Sequence, residues 1–198
     1  MACIEIFGMS RSGKTTQINA LVDTLNREEL SSVVVGRPMV PFKEFSSVPS
    51  FHRHYLNHLV DAIEANRDKD FVILDRGVYD RAVLLDFDLE NGSISAREYR
   101  KLRRELEQNI PKVDTGFLFM VSPEESLRRY VSQRAKGLDF SYLNTGLISG
   151  DEPKNLETLY QMYQELEGLP KIKTIDALRD VTDISQEIAS CILNHAER

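Results

Sequence analysis

The run Gly8-Met9-Ser10-Arg11-Ser12-Gly13-Lys14-Thr15-Thr16 carries the residue types that grip a polyphosphate. Gly8 and Gly13 permit a backbone that curls until successive N–H groups converge on one anion. Lys14 adds a point charge for β- and γ-phosphates, and the Thr15 hydroxyl is placed to ligate Mg²⁺. The spacing G-x-x-x-x-G-K-[ST] is met in full, so Ser10, Arg11, Ser12 and Thr16 join Gly8, Gly13, Lys14 and Thr15 as ATP-binding candidates. The motif needs a strand before it and a helix after it. Both flanks qualify: the apolar run Cys3–Phe7 precedes it, and Lys14–Glu28 follows with helical periodicity. A helix starting at Lys14 aims its free N–H groups and its dipole at the same anion.

A second constellation is Phe71-Val72-Ile73-Leu74-Asp75-Arg76-Gly77. Asp75 closes an apolar run, where a carboxylate that organises Mg²⁺ belongs. Arg76 beside it supplies a cation for the acceptor or the transferring phosphate. The guanine-reading N-K-x-D and the ABC-type L-S-G-G-Q do not occur in the chain. An acid beside an arginine at the carboxyl end of a strand suits a kinase of small molecules.

Two further regions are chemically loaded. Between Ser122 and Gly137 lie Arg128, Arg129, Arg134 and Lys136. On a helix, Leu127, Tyr130, Val131 and Arg134 share one face, so Arg134 continues an apolar stripe and is expected to turn inward toward phosphate. Cations of this kind offset phosphoryl charge when a lid closes. Gly137–Gly150 carries no assignable element and is expected to be the flexible part of that lid. On the acceptor side, Val35-Gly36-Arg37-Pro38 leads into Phe42, Glu44 and Phe45. Arg37 suits an acceptor phosphate, Phe42 the face of a base, and Glu44 a hydroxyl proton. His54 and His58 stand at i, i+4, but no third ligand accompanies them, so a metal site there is not expected.

These residues need a scaffold, and the pattern around them supplies one. Short apolar runs (Cys3–Phe7, Val33–Gly36, Phe71–Leu74, Phe117–Val121, Ile172–Ile175) alternate with helical stretches. The helices are expected at Lys14–Glu28, Ser50–Arg67, Tyr79–Leu89, Ala96–Asn109, Pro123–Lys136, Asn155–Glu167 and Asp183–Ala196. Ser95 with Glu98, and Ser122 with Glu125, read as capping boxes. This alternation predicts an α/β fold, a three-layer doubly wound parallel sheet that binds ligands beyond the carboxyl ends of its strands. A single domain over residues 1–198 is expected, with a lid at about 122–150.

Composition narrows the partners. The 198 residues include 25 Lys+Arg against 31 Asp+Glu, a net charge of −6, so no general attraction to nucleic acid or membrane is expected. Cys3 and Cys191 form no framework, and the start MACIEIFGM lacks a signal pattern, so a cytoplasmic setting is expected.

In sum the chain resembles the thymidylate kinase and deoxynucleoside kinase superfamily. The residues that carry the likeness are Gly13-Lys14-Thr15-Thr16-Gln17, Leu74-Asp75-Arg76, Val121-Ser122-Pro123-Glu124-Glu125 with Leu127 and Arg129, Asn155-Leu156 with Tyr160 and Tyr163, and Ile175-Asp176-Ala177. The resemblance implies a five-stranded parallel sheet in the order 2-3-1-4-5, with a mobile lid and a homodimer. It also implies catalytic roles for Lys14, Asp75, Arg76, Arg129 and Arg134, Thr15 and Asp75 on Mg²⁺, adenine bordering Ala177, and Arg53 near an acceptor base. Arg37-Pro38-Met39-Val40 departs from the family's R-E-P-G-G, and Gly77-Val78-Tyr79-Asp80 from the segment after its D-R. An acceptor pocket of different shape, lined by Tyr79 and Asp80, follows from that. The expected function is ATP- and Mg²⁺-dependent transfer of a γ-phosphoryl group to a nucleotide or nucleoside. A non-catalytic ATP-binding sensor or scaffold, and a kinase of a non-nucleotide small molecule, are the alternatives.

Overall fold

Strands that are apolar on both faces must be covered on both, and the chain meets this by wrapping helices around a central sheet. The computed structural model describes residues 1–38, 44–109, 112–135 and 153–196, without the side chains at 134, 153–154 and 194–196. In chain order the elements are β1 (Ala2–Gly8), α1 (Lys14–Arg27), β2 (Ser32–Val35), α2 (Val48–Ala65), β3 (Phe71–Asp75) and α3 (Val78–Glu90). Then follow α4 (Ala96–Asn109), β4 (Thr115–Met120), α5 (Pro123–Ala135), α6 (Pro153–Gln164), β5 (Ile172–Asp176) and α7 (Val181–Ala196). The sheet order is β2-β3-β1-β4-β5, with every pairing parallel, as the resemblance implies.

β1 lies at the centre, and its side chains from Cys3 to Phe7 are buried. Ile4, Ile6 and Phe7 pack with Phe117 and Phe119 of β4 and Ile73 and Leu74 of β3 in one core. Burying each of these stabilises the fold by roughly 1.5–3 kcal/mol relative to exposure. β3 and β5 each run one residue beyond the apolar stretch, to Asp75 and Asp176, because ladder pairing continues to Ile6 and Met120. That extension carries Asp75 to the carboxyl edge of the sheet.

The helix starts follow their caps. α2 begins at Val48, two residues before the position expected from sequence, because Ser47 and Ser50 form a reciprocal capping box. A serine at the third position replaces the usual Glu or Gln and hides the signal. At α4 the expected box forms: Glu98 N–H donates to Ser95 Oγ at 3.3 Å, and Ser95 N–H to Glu98 Oε2 at 3.2 Å. At α5 only half of it does. Glu125 N–H reaches Ser122 Oγ at 3.3 Å, but the Glu125 carboxylate is taken by Arg128 and Arg129, each at 2.6 Å. The stripe expected on α5 is also incomplete: Leu127 and Tyr130 are half-buried, whereas Val131 is 59% exposed. Lys136 and residues 137–150 lie outside the described residues. No described helix is long and apolar enough to cross a membrane.

Candidate active site

The loop between β1 and α1 is shaped by contacts that only glycine tolerates. Gly8 has φ 116°, and a Cβ there would sit 2.3 Å from the Phe119 carbonyl oxygen. Gly13, at φ 89°, is the left-handed residue that caps α1. Arg11 between them is also left-handed, at φ 57°. Lys14 heads α1 and folds its ammonium back into the loop, donating to Met9 O at 2.5 Å, Ser12 Oγ at 3.1 Å and Gly8 O at 3.3 Å. Ser12 is buried, and Thr15 and Thr16 are exposed at the start of α1. Burial and the neighbouring Arg76 charge push the Lys14 pKa down, with Asp80 and Asp75 opposing. These four groups therefore share one electrostatic environment.

α5 clamps the outer side of the loop. Ser126 Oγ donates to Ser10 O at 2.9 Å, and the Tyr130 ring lies 4.2 Å from the Arg11 guanidinium carbon. Arg129 spans three elements: it bonds Glu125 at 2.6 Å, Arg11 O at 3.0 Å and Ala177 O at 3.2 Å. Ala177 is buried just after β5, beside Leu178, which is 63% exposed. Gln17 joins α1 to α7, donating to Val181 O at 3.0 Å and accepting from Ser185 at 2.7 Å.

Asp75 stands opposite Ile6 in the ladder, two residues before Gly8, so the acid and the loop leave the same edge of the sheet. Arg76 turns sharply at φ 65°, its N–H bonded to Ile6 O at 3.0 Å and its carbonyl accepting from the Tyr55 hydroxyl at 2.9 Å. Its guanidinium donates to Asp80 at 2.9 Å, and the Tyr163 hydroxyl donates to the same oxygen at 2.6 Å. Asp80 is fully buried. Burial alone would raise its pKa, but the charges of Arg76, Arg81 and Arg37 with the Tyr163 bond outweigh it and hold Asp80 at about 2.

That depression carries a stability consequence. A carboxylate held below its ordinary value of 3.8 stabilises the fold above that value, and the contribution is lost as pH falls through about 2. The expected result is an acid-dependent loss of about 2 kcal/mol across this window. Urea denaturation at stepped pH measures it. Asp80→Asn should begin less stable near neutrality and lose less on acidification; an unchanged acid slope would contradict this assignment.

Sequence reasoning passed over Glu5. This carboxylate is completely buried in β1 and accepts N–H bonds from Gly77, Tyr79 and Asp80, each at 2.9 Å. It thus satisfies the free donors at the start of α3 from a neighbouring strand. Burial is the largest influence and raises its pKa to about 7 against those bonds. Gly77 leaves room for it, since a Cβ there would meet Glu5 Oε2 at 2.8 Å and Leu74 Cδ1 at 2.6 Å. An acid inside an otherwise apolar strand was the available signal.

The remaining candidates fall in different places. Arg37 follows β2 at the same edge, and its charge acts on Lys14, Asp80 and Tyr55. Tyr79 is buried and stacks on Phe7 at 5.6 Å rather than opening to solvent. Arg53 is half-exposed and pairs with Glu105 of α4 at 3.6 Å. Glu44 is exposed and makes no hydrogen bond or ion pair among the described residues. Phe42 lies outside the described residues, and Arg134 is on α5 with its side chain outside them. Among the described residues no group of three or more His, Cys, Asp and Glu could hold a metal on its own. One hydroxyl at Thr15 and one carboxylate at Asp75 nevertheless fit Mg²⁺, which takes most of its ligands from phosphate and water.

No protein-family model matches the chain, and no curated protein matches it in sequence. Solved structures do resemble it. A deoxyadenosine kinase from M. mycoides, with products dCMP and a flexible dCDP bound, superposes with a TM-score of 0.71 at 16% identity, covering 97% of this chain and 99% of that one. The same enzyme with bound dATP gives a TM-score of 0.68 at the same identity and coverage. The chain therefore shares the fold of these deoxyadenosine kinase structures.

Proposed function

We propose that the protein is an ATP- and Mg²⁺-dependent kinase that transfers the γ-phosphoryl group to a nucleotide, with a nucleoside as the alternative acceptor. The observation that carries this reading is the meeting of Lys14 with Asp75 and Arg76 at one sheet edge, close enough for their charges to act on one another. Amides of residues 8–16 and the Lys14 ammonium bind the triphosphate. Thr15 and Asp75 would hold Mg²⁺, which when bound screens the β- and γ-phosphate charge. Arg129, engaged with the loop and with Ala177, braces the adenine side. Arg11 and Arg134 supply charge to the transferring group. Arg76 orients the acceptor, and Arg37 adds positive potential beside it. Catalysis is then positioning plus electrostatics.

A nucleotide acceptor is favoured because the charges of Arg37, Arg76 and Arg81 all act on the buried Asp80 carboxylate. An ionised phosphate oxygen attacks without a general base, whereas a hydroxyl needs one. Glu44→Gln separates the two. Turnover of nucleoside monophosphates should stay within about twofold of wild type, whereas a hundredfold fall on nucleosides would assign Glu44 as base and make the nucleoside the acceptor. The fold neighbour is a deoxyadenosine kinase that holds dCMP as a product, so its own acceptor is a nucleoside, and this likeness supports the alternative acceptor.

A further inference from the structure

α3 starts without a cap of its own. Gly77 stands at its N-cap position and has no side chain to accept from the first turn. A serine or aspartate there would satisfy those donors locally. Instead Glu5, wholly buried in β1, takes the N–H groups of Gly77 and Asp80 on Oε1 and that of Tyr79 on Oε2, each at 2.9 Å. Three donors on two oxygens fit the carboxylate, since a protonated carboxyl would turn a donor of its own toward one of them. An acid inside a sheet is a far more demanding solution than a local cap, because the charge must leave water. What it adds is a bond between elements. A local cap would hold α3 to itself, whereas Glu5 holds it to the strand that ends in the phosphate loop at Gly8.

The segment held in this way carries the acceptor-side cation. Arg76 turns at φ 65°, left-handed backbone that a residue with a Cβ seldom adopts unless its surroundings impose it. Successive residues of β1 impose it here: Ile6 O accepts the Arg76 N–H at 3.0 Å, and Glu5 accepts the next one, from Gly77. The Arg76 guanidinium then donates to Asp80 Oδ1 at 2.9 Å, while the Asp80 N–H is bonded to Glu5. Asp80 is thus fixed through its backbone by Glu5 and fixes Arg76 through its side chain. The fit is close, since a Cβ at Gly77 would meet Glu5 Oε2 at 2.8 Å.

We infer that Glu5 is a positioning residue for the acceptor: from the central strand it fixes the turn of α3 that aims Arg76, and so sets the acceptor-side cation in register with the phosphate loop. With no exposed surface, Glu5 touches neither ligand itself. The inference rests on the proposed role of Arg76 in orienting the acceptor.

Two substitutions disturb this contact from opposite sides. Glu5→Gln keeps the shape but turns an amide N–H toward at least one of the three backbone donors. Gly77→Ala crowds the carboxylate without removing its charge. Calorimetry at about pH 8, above the value of about 7 to which burial raises Glu5, measures binding of ATP, of dTMP, dGMP, dAMP and dCMP, and of their nucleosides, alongside ADP formation. In Glu5→Gln the acceptor that wild type binds best should bind about tenfold more weakly, with ATP affinity within about twofold. Gly77→Ala should show the same split, and the double variant should lose about tenfold again in total, not the roughly hundredfold of independent sites. A role in folding alone would lower the melting temperature and leave acceptor affinity of the folded protein unchanged. Acceptor affinity within about twofold of wild type, equal losses for ATP and acceptor, or multiplying losses in the double variant would overturn the inference. Should Glu5→Gln not fold, the split in Gly77→Ala decides. Wild type that binds none of these acceptors would overturn the inference together with the acceptor reading, whereas an intact split without ADP formation would overturn the kinase reading alone.

Discussion

Lys14→Ala should lower phosphoryl transfer from ATP by about a thousandfold or more, the scale of losing a cation aimed at developing charge in a desolvated site. Three features of the loop make the effect large. Lys14 is only 6% exposed, so water screens its charge little. It is held by two loop carbonyls and Ser12 Oγ, which place it at the concave side of the loop. Its pKa is pushed down by burial and by Arg76, and an incoming triphosphate would reverse that, so ligand and lysine stabilise each other's charge. The fold itself should survive, because a buried ammonium is exchanged for a methyl group rather than left without its partner. Steady-state ADP formation with matched circular dichroism checks the result. A folded Lys14→Ala protein within tenfold of wild type would remove the loop from the chemistry.

Asp75→Asn is the second large effect, expected at about a hundredfold or more in kcat with a raised Mg²⁺ requirement. The substitution keeps size and shape and removes the charge at the end of β3. Arg76 would be a poorer choice for this test. Truncating it leaves fully buried Asp80 without its 2.9 Å partner, at a stability penalty of about 3–5 kcal/mol that would obscure any kinetic effect. Titrating Mg²⁺ at saturating ATP separates the contributions. The account expects the variant to recover partly at high Mg²⁺ and to bind metal-free ATP as wild type does. A metal dependence identical to wild type would dissociate Asp75 from the cation.

The frame of this site was readable in advance because its determinants are local. Gly8, Gly13 and Lys14 act through backbone freedom and one side chain in nine residues, and the strand–helix alternation follows from periodicity. The place of Asp75 at the end of β3 was legible because it closes an apolar run. What escaped prediction depends on contacts distant in sequence. Glu5 finds its three donors more than seventy residues away, and Tyr163 reaches Asp80 across 83 residues. Arg129 reads locally as a lid cation, yet it bonds Arg11 and Ala177, 118 and 48 residues away. Arg53 read as an acceptor residue from its place on α2, but the face it occupies turns toward Glu105 of α4. Helix periodicity specifies which residues share a face, and tertiary packing decides what that face meets.

The most direct test follows the phosphorus. Wild-type protein with γ-labelled ATP and Mg²⁺ is presented with nucleosides, nucleoside monophosphates and unrelated small alcohols, and products are resolved by mass, with Lys14→Ala as the control for contaminating activity. The account predicts label on a nucleoside monophosphate, released as the diphosphate with one ADP formed per transfer, and none in the control. Tight ATP binding with no labelled acceptor anywhere in the panel would contradict it.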